Sequence, residues 1–245
     1  MMNERTERIR MQLSKRLRTI VCMCMPCGTA ADIGTDHGFV PIALLQEKRA
    51  EKCIAADINA GPLARAREHI CAAGLGDSCE FRQGSGLSVL REDEAELVVI
   101  AGMGGLLIRE ILREGRGKLG AAKQLVLSPH TDVPAVRRTL AELDFGICDE
   151  AVIQEDGKFY TVISAVPGSL PLTEEELLYG PVLLRKRPPA FLRQLRQKLR
   201  KEEEILKKIR YSDKEDSMPA AAAHGQEAER LRRILGEEAS ETGTR

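Results

Sequence analysis

The stretch from residue 30 to residue 41, AADIGTDHGFVP, constrains the fold of this chain more than any other part of its sequence. A short apolar run ends on the carboxylate of Asp32, a turn containing Gly34 and Gly38 follows, and an apolar helical pattern begins at Phe39. This order is typical of a strand, a tight turn and a helix, and an open α/β sheet binds its ligand at the carboxyl end of such a strand. The two glycines let the backbone approach a ligand closely, because no Cβ atom is in the way.

The side chains of this turn indicate which kind of ligand it binds. The glycine spacing differs from a dinucleotide fingerprint, no Walker sequence is present, and Asp32 and Asp36 would repel a pyrophosphate. A ligand with a positive end suits two carboxylates better, and S-adenosylmethionine has an ammonium group, a sulfonium and a ribose diol but no phosphate. Asp57 stands at the end of the next predicted strand, 52–58, roughly 20 positions after the turn, where ribose hydroxyls are commonly bound. Alternatively, Asp57 only caps the helix that begins near Gly61.

Several motifs along the chain resemble those of one protein family. They are residues 13–17 (LSKRL), 32–37 (DIGTDH), 83–87 (QGSGL), 100–105 (IAGMGG) and 155–160 (EDGKFY). In order and spacing they are similar to the motifs of the bacterial tRNA adenine-22 N1-methyltransferases, and IAGMGG is the most specific of them. The resemblance covers nearly the whole chain. It implies S-adenosylmethionine as the cofactor, tRNA as the partner and adenine N1 as the methylated atom.

The resemblance also implies the fold class, which is α/β. We expect a Rossmann-like class I methyltransferase sheet with an antiparallel last strand pair, followed by a carboxyl-terminal helical hairpin of the coiled-coil type. An Asp-Gly pair at 156–157 separates the apolar runs 146–154 and 159–166, and this pattern is a strong hairpin signal.

The predicted domain organisation follows the same order. The chain is expected to form a cofactor-binding domain with a basic amino-terminal helix over 1–166, a proline-containing linker over 167–189 and a helical hairpin over 190–245. The amino-terminal helix is predicted from residue 3 onward. The second hairpin helix is predicted from Glu227, after a break that contains a proline and a glycine.

The expected site residues lie at the carboxyl ends of neighbouring predicted strands. The cofactor-binding candidates are Asp32, Gly34, Asp57, Ile58, Gly84, Ser85, Gly86, Ala101, Gly102 and Met103. Asp36 is the candidate for stabilising positive charge on the methylated ring, and His37 for positioning the base. The alternative for His37 is a loop residue bonded to local backbone; for Met103 it is a core residue that fills a gap. The glycines after the fourth strand could equally serve tight packing between helix and strand.

Two positions depart from the family pattern. Ser85 stands where the family usually has an aspartate, which would hold the amino group of the cofactor's adenine. His130 follows Pro129 where the family often has an asparagine.

The charge distribution favours a polyanionic partner. Residues 1–18 carry six Lys and Arg against two acids, and residues 183–210 carry eleven against three, although the net charge of the chain is zero. Basic flanks around an acidic body favour RNA, whereas the alternative is that these are only the solvated faces of amphipathic helices. The predicted RNA-binding residues are Lys15, Arg16, Arg185, Lys186, Arg187, Arg193 and Arg196.

The remaining composition argues against other classes of protein. Three of the seven cysteines, Cys22, Cys24 and Cys27, lie close together, but no fourth ligand follows at zinc spacing, so we expect reduced thiols and no metal. No apolar run reaches the roughly 18 residues of a membrane span, and the amino terminus lacks the pattern of a signal peptide. We therefore expect a cytoplasmic protein without a membrane partner, with a monomer favoured.

Two other functions agree with the same residues. The first is a small-molecule methyltransferase that uses S-adenosylmethionine, for which the basic flanks would be incidental. The second is a non-catalytic module that binds S-adenosylmethionine or RNA, and the serine at position 85 gives it some support.

Overall fold

The computed structural model describes residues 13–168, 171–210 and 218–237. The chain divides into two compact units, Met1–Val182 and Leu183–Arg245. The strands are β1 Cys27–Ile33, β2 Ala50–Asp57, β3 Cys79–Gln83, β4 Leu97–Met103, β5 Gln124–Pro129, β6 Phe145–Glu155 and β7 Lys158–Pro167. The α-helices are α1 Lys15–Met23, α2 Phe39–Gln46, α3 Ala60–Ala72, α4 Gly105–Glu114, α5 Val133–Glu142, α6 Glu174–Tyr179, α7 Pro181–Lys186, α8 Pro189–Arg210 and α9 Met218–Leu235.

The strands form one sheet in the order β3-β2-β1-β4-β5-β7-β6. The first five strands pair in parallel, whereas β7 pairs antiparallel with both β5 and β6. The predicted Rossmann-like sheet with an antiparallel last strand pair is therefore confirmed. The reversal of strand order between β1 and β4 opens a crevice at the carboxyl ends of these strands, where such sheets bind ligands.

The central strands are buried on both faces, which explains their continuous apolar sequence. Along β4, Val98 and Ile100 belong to one buried cluster, while Leu97 and Val99 belong to a second cluster on the other face. This period of two follows from the alternating direction of side chains along a strand. The sheet is thus a rigid base for the loops at its carboxyl edge.

The amino-terminal helix is shorter than predicted within the described part of the chain. The helix begins at Lys15, because Ser14 is its N-cap. The Ser14 side chain accepts a hydrogen bond from the backbone N–H of Leu17. The rest of the predicted helix, residues 3–12, lies outside the described residues. Ile20 and Val21 are fully buried, which fixes α1 against the sheet.

The stretch predicted as a linker, 167–189, instead contains α6 and α7. Thr173 and Glu176 form a capping box, in which each side chain accepts a hydrogen bond from the other residue's backbone N–H. This arrangement stabilises a short helix among the prolines from which the linker was predicted. The division between the two units falls after Val182, inside this stretch.

The second unit contains the predicted helical hairpin, formed by α8 and α9. Arg187, before α8, contacts Ile234 near the end of α9, whereas Glu202 pairs with His224 near its beginning, so the two helices run antiparallel. The coiled-coil geometry stays a prediction.

The second hairpin helix begins at Met218, so the predicted start at Glu227 is wrong. Pro219 lies in the first turn, where its missing N–H has no helical partner to lose. Four alanines follow, and they offset the weakening that Gly225 causes inside the helix.

A membrane crossing would need a helix that is both long and strongly apolar, and no helix in the described part of the chain meets both conditions.

Candidate active site

The turn after β1 is held by hydrogen bonds to the neighbouring strand. The backbone N–H groups of Gly34 and Thr35 both donate to the carbonyl of Ala56, at 2.8 and 2.9 Å. Gly34 has φ +79° and Gly38 has φ +71°, and Gly38 is the N-cap of α2. Both glycines therefore take the left-handed conformation that other residues adopt at a cost, which allows the chain to reverse within a few residues.

A cavity of about 490 Å³ lies at the carboxyl ends of β1, β2 and β4. It is lined by Arg16, Leu17, Asp32, Gly34, Thr35, Asp36, His37, Phe39, Val40, Asp57, Ala101, Gly102, Met103 and His130. The cavity brings together most of the residues that the sequence predicts for the cofactor and for catalysis. Four predicted cofactor residues, Ile58, Gly84, Ser85 and Gly86, are not part of its wall.

Asp32 is the buried acid of this cavity, with 5% of its surface exposed. The pKa of its carboxyl group is raised to about 7, chiefly by burial and to a smaller extent by the nearby Asp57 carboxylate, while a hydrogen bond from Thr35 acts in the opposite direction. The group is thus only partly ionised near neutral pH in the free protein. A cationic ligand placed beside it would favour the ionised form.

Asp57 lines the same cavity from the end of β2. Its Oδ1 accepts a hydrogen bond from the backbone N–H of Asn59 at 2.8 Å, and Asn59 is the N-cap position of α3. Asp57 therefore lies before the helix rather than at its cap position. The carboxylate is tied to the local turn through one oxygen while it faces the cavity.

The two predicted catalytic residues lie at the outer part of the cavity. The Asp36 side chain is 58% exposed and forms an ion pair with Arg65 at 3.0 Å, and its Oδ2 lies 3.6 Å from the His37 Nε2. The rings of His37 and Phe39 stack with centroids 5.2 Å apart, and His69 donates to the His37 carbonyl at 2.9 Å. His37 takes part in this bond only through its backbone carbonyl, whereas the Nδ1 of its ring is buried without a hydrogen-bond partner among the described residues.

The end of β4 and the turn into α4 border the cavity on its other side. Gly102 has φ +81°, and the carbonyl of Met103 accepts a hydrogen bond from the backbone N–H of His130 at 2.8 Å. The Met103 side chain packs directly against Gly34. A Cβ atom on Gly34 would come within 2.2 Å of the Met103 Cε. Gly105 is a packing glycine, since its Cβ would come within 2.4 Å of the Thr131 carbonyl.

The loop after β3 lies beside the cavity rather than in its wall. The backbone N–H of Gly84 donates to the Asp57 carbonyl at 3.0 Å, which fixes this loop to the end of β2. Ser85 is exposed, and its carbonyl accepts a hydrogen bond from the Ser88 hydroxyl at 2.6 Å. Gly86 has φ +52° and packs against Ile111.

Arg16 and His130 enclose the cavity near Tyr160. The Arg16 guanidinium lies over the Tyr160 ring, with 5.4 Å between its Cζ and the ring centroid, and the His130 ring meets Tyr160 edge-on at 5.6 Å. Burial lowers the pKa of His130, and the charges of Arg16 and Lys158 lower it further. Arg16 was predicted to bind RNA, and the structure places it in the cavity wall.

The other predicted RNA-binding residues are exposed and are not among the residues that line this cavity. Lys15 is at the start of α1, where its backbone N–H donates to Glu155 at 2.7 Å. Arg187 donates to the carbonyls of Ile234 and Leu235, the last residues of α9, so its guanidinium stabilises a helix end. The remaining four are Arg185, Lys186, Arg193 and Arg196.

The cysteines of the chain are free thiols. Cys24 is buried and Cys22 is exposed, and burial raises the pKa of Cys24 to about 12. Among the described residues, no group of three or more His, Cys, Asp or Glu side chains is arranged to hold a metal ion.

Several residues of the cavity wall were not predicted from the sequence as site residues. They are Leu17, Thr35, Phe39, Val40 and His130. Thr35 lies inside the recognised turn, and its buried hydroxyl lies beside Asp32, where a hydrogen bond between them acts to lower the pKa of the Asp32 carboxyl group. A polar residue between two functional positions of a turn is the signal that would have found it.

Comparisons with known proteins agree on one family. A family model described as TrmK, tRNA (adenine(22)-N(1))-methyltransferase, matches residues 30–230. The chain is 33% identical over 205 residues to the tRNA (adenine(22)-N(1))-methyltransferase of Bacillus subtilis (strain 168), which covers 81% of this chain and 86% of that protein.

Solved structures give the same result. The crystal structure of the Bacillus subtilis M1A22 tRNA methyltransferase TrmK matches with a TM-score of 0.82 at 31% identity, over 91% of this chain and 99% of that chain. Streptococcus pneumoniae Sp1610, solved in complex with S-adenosyl-L-methionine, matches with a TM-score of 0.82 at 28% identity, over 91% of this chain and 100% of that chain.

Proposed function

This chain belongs to the tRNA (adenine(22)-N(1))-methyltransferase family, TrmK, and on that premise we propose that it methylates N1 of the adenine at position 22 of tRNA, with S-adenosylmethionine as the methyl donor. The observation that supports this most directly is the cavity at the carboxyl ends of β1, β2 and β4. Two carboxyl groups, the buried Asp32 and Asp57, line it together with glycine turns.

The residues of this cavity fit S-adenosylmethionine. Its volume lies in the range of small-molecule sites. Asp32 would bind the ammonium group and Asp57 the ribose hydroxyls, and neither acid would tolerate a phosphate nearby. Buried nitrogens of Arg16 and His37 have no hydrogen-bond partner among the described residues, so they are available to a ligand. When bound, the cofactor supplies an electrophilic methyl group on a sulfonium.

The residues of the site have to align the reactants rather than remove a proton. Neutral adenine N1 already has a lone pair, so no general base is needed, and positioning supplies most of the rate enhancement. N1 lies on the Watson–Crick edge, so the target adenine has to be unpaired before it can react. The loop 102–105 borders the cavity and would face the adenine, since its glycines leave the backbone accessible.

Asp36 and His37 remain the candidates for stabilising the methylated ring, which becomes positively charged. A carboxylate near this ring would favour the product-like charge. Arg65 pairs with Asp36 at 3.0 Å, and the Asp36 side chain is largely exposed. The pairing and the solvent therefore both reduce the stabilisation that Asp36 gives to the charged ring. We expect Asp36 to act mainly through electrostatics.

The tRNA is proposed to contact the basic flanks of the chain. Lys15 on α1 and Arg185, Lys186, Arg193 and Arg196 in the second unit are exposed cations that suit phosphate groups. A tRNA substrate implies a cytoplasmic location. A monomeric state also stays a prediction.

A methyl-transfer assay with defined RNA tests this function. The purified protein is incubated with tritium-labelled S-adenosylmethionine and a tRNA transcript that has adenine at position 22, with a transcript that has guanine there as the matched control. We expect label in the first transcript alone and 1-methyladenosine at that position by mass mapping. Label only in small molecules would indicate a small-molecule methyltransferase, and no transfer despite cofactor binding would indicate a non-catalytic module.

A further inference from the structure

Arg16 lies in the cavity wall with one nitrogen ready for a ligand. Its Nη1 is buried and has no hydrogen-bond partner among the described residues. A Cβ built on Gly102 would be 3.8 Å from this nitrogen, so it faces the loop after β4. The Tyr160 ring supports the guanidinium from one side at 5.4 Å, which restricts its orientation through a cation–π contact.

The charges around the cavity give this nitrogen a particular role. Among the described residues that line it, Arg16 is the single side chain with a permanent positive charge, whereas Asp32, Asp36 and Asp57 carry carboxyl groups. His130 does not add a second cation near neutral pH, because burial lowers its pKa and Arg16 itself disfavours its protonation. Any negative group of a ligand in this cavity would therefore be paired by Arg16.

The geometry points to Arg16 as the residue that binds the carboxylate of the methionyl group of S-adenosylmethionine, an inference that rests on the proposed function. The methionyl group has both an ammonium and a carboxylate, and the acids of the cavity suit only the first. A guanidinium binds a carboxylate through two parallel N–H donors, which gives both strength and orientation. An RNA phosphate is the other oxyanion that Arg16 could bind. A phosphate in this wall would face three acids and would have to reach a buried nitrogen, so we favour the carboxylate.

Calorimetric binding of two ligands tests the inference without relying on catalysis. The ligands are S-adenosylhomocysteine and S-adenosyl-3-thiopropylamine, which has the same amine, thioether and nucleoside but lacks the carboxylate. The wild-type protein is expected to bind the first roughly 10- to 100-fold more tightly, as is typical of a charged hydrogen-bonded pair. Arg16→Met should remove this preference by weakening only the binding of S-adenosylhomocysteine.

Two further variants control for effects on folding. Arg18→Met removes an exposed cation from the same helix that pairs with Glu47 outside the cavity, and it should leave both affinities unchanged. Arg16→Lys retains the charge without the paired donors, so it should weaken the binding of S-adenosylhomocysteine by an intermediate factor.

The outcomes separate the possible roles of Arg16. Unchanged binding of S-adenosylhomocysteine to Arg16→Met, together with weaker tRNA binding, would assign Arg16 to a phosphate and overturn the inference. An equal loss for both ligands would mean that Arg16 only maintains the shape of the cavity, which also overturns it. If the wild-type protein binds neither ligand, the proposed function itself fails.

Discussion

At the scale of single residues, ionisation of the Asp32 carboxyl group is energetically unfavourable in the folded protein without a ligand. Its pKa in the folded chain is raised to about 7 from 3.8, chiefly by burial. A carboxyl group with a raised pKa contributes fully to stability below its ordinary pKa, and this contribution is lost as the pH rises through the folded value. A bound cationic cofactor would offset this unfavourable free energy of ionisation.

Asp32→Asn is therefore expected to stabilise the free protein above pH 7. The difference in free energy of unfolding between variant and wild type should grow from near zero around pH 4 to on the order of 4 kcal/mol above pH 7. Urea denaturation of both proteins at pH 5 and pH 8 measures it. An equal difference at both pH values would mean that Asp32 does not titrate in this range.

The same titration predicts a pH dependence of cofactor binding. The affinity of the wild-type protein for S-adenosylhomocysteine should rise with pH up to about 7, by at most about tenfold per pH unit, because binding requires the ionised carboxylate. Asp32→Asn should bind more weakly and lose this dependence. Calorimetry in two buffers of different ionisation enthalpy would detect the proton released on binding to the wild type.

Gly34 allows a separate test of the turn, with Gly74 as the matched control. Both have positive φ, +79° and +70°, but a Cβ atom on Gly74 meets nothing within 4 Å, whereas one on Gly34 collides with the Met103 side chain. Each change to alanine should cost about 1 kcal/mol of stability through backbone strain. Only Gly34→Ala should also weaken the binding of S-adenosylhomocysteine, because Met103 has to move within the cavity.

Adding Met103→Ala to Gly34→Ala identifies the cause of this weakening. The double variant should recover part of the affinity, since the smaller side chain removes the collision, and a double-mutant cycle gives the coupling. If the two effects simply add, the strained turn itself and not Met103 weakens binding.

The sequence pattern predicted the three acids, Gly34 and Gly102 of the cavity wall because their positions follow from strand ends. It placed Arg16 with the RNA-binding residues, since a cation in a basic amino-terminal segment looks like a phosphate contact. Its actual position depends on the packing of α1 beside β6 and β7, more than 100 residues later in the chain. His130 likewise enters the wall only through tertiary packing, which a local motif does not contain.

At the scale of elements, the parallel strands and their order of appearance could be predicted because buried strands carry a continuous apolar signal. The first residues of the helices were less predictable, because they depend on which side chains cap or occupy the first turn. Pro219 predicts a break, yet in a first turn it is compatible with α9. The capping box at Thr173 similarly creates α6 in a proline-containing stretch.

A buried ion pair connects α5 to β6 and fixes the stretch after β7. Arg137 donates to Glu150 at 2.8 Å, with only 2% and 0% of the two side chains exposed. Arg137 also donates to the carbonyl of Leu177 at 3.0 Å, and Glu150 accepts from the backbone N–H of Val182 at 3.0 Å. The pair therefore holds both ends of the segment 177–182 within the first unit.

Removing one member of this pair should be more damaging than removing both. Arg137→Met removes the guanidinium that neutralises the buried Glu150 carboxylate and should cost about 3–5 kcal/mol, whereas Arg137→Met combined with Glu150→Leu should cost less than the single change. Thermal unfolding of the three proteins measures this order. Arg113→Met is the control, because its pair with Glu142 is largely exposed and contributes little. A double variant less stable than Arg137→Met would contradict this account.

At the scale of the whole molecule, the charges are separated along the chain. Residues 19–182 have an excess of acids, and residues 183–210 have eleven Lys and Arg against three acids. The acids of the first unit suit a cationic cofactor, and the cations of the second unit suit a polyanion. The two ligands should consequently respond differently to changes of charge in the two units.

Replacing Arg193 and Arg196 of α8 with glutamine tests this separation in the full chain. The double variant should bind tRNA more weakly, and its plot of log affinity against log salt should lose about one unit of slope for each phosphate contact removed. Binding of S-adenosylhomocysteine should stay unchanged, because neither residue lines the cavity. Lys52→Gln with Arg91→Gln removes the same number of exposed charges from the first unit and should leave the salt slope as it is. Equal loss of tRNA affinity in both double variants would mean that net charge alone attracts the RNA, and an unchanged slope in the α8 variant would exclude these two residues from the interface.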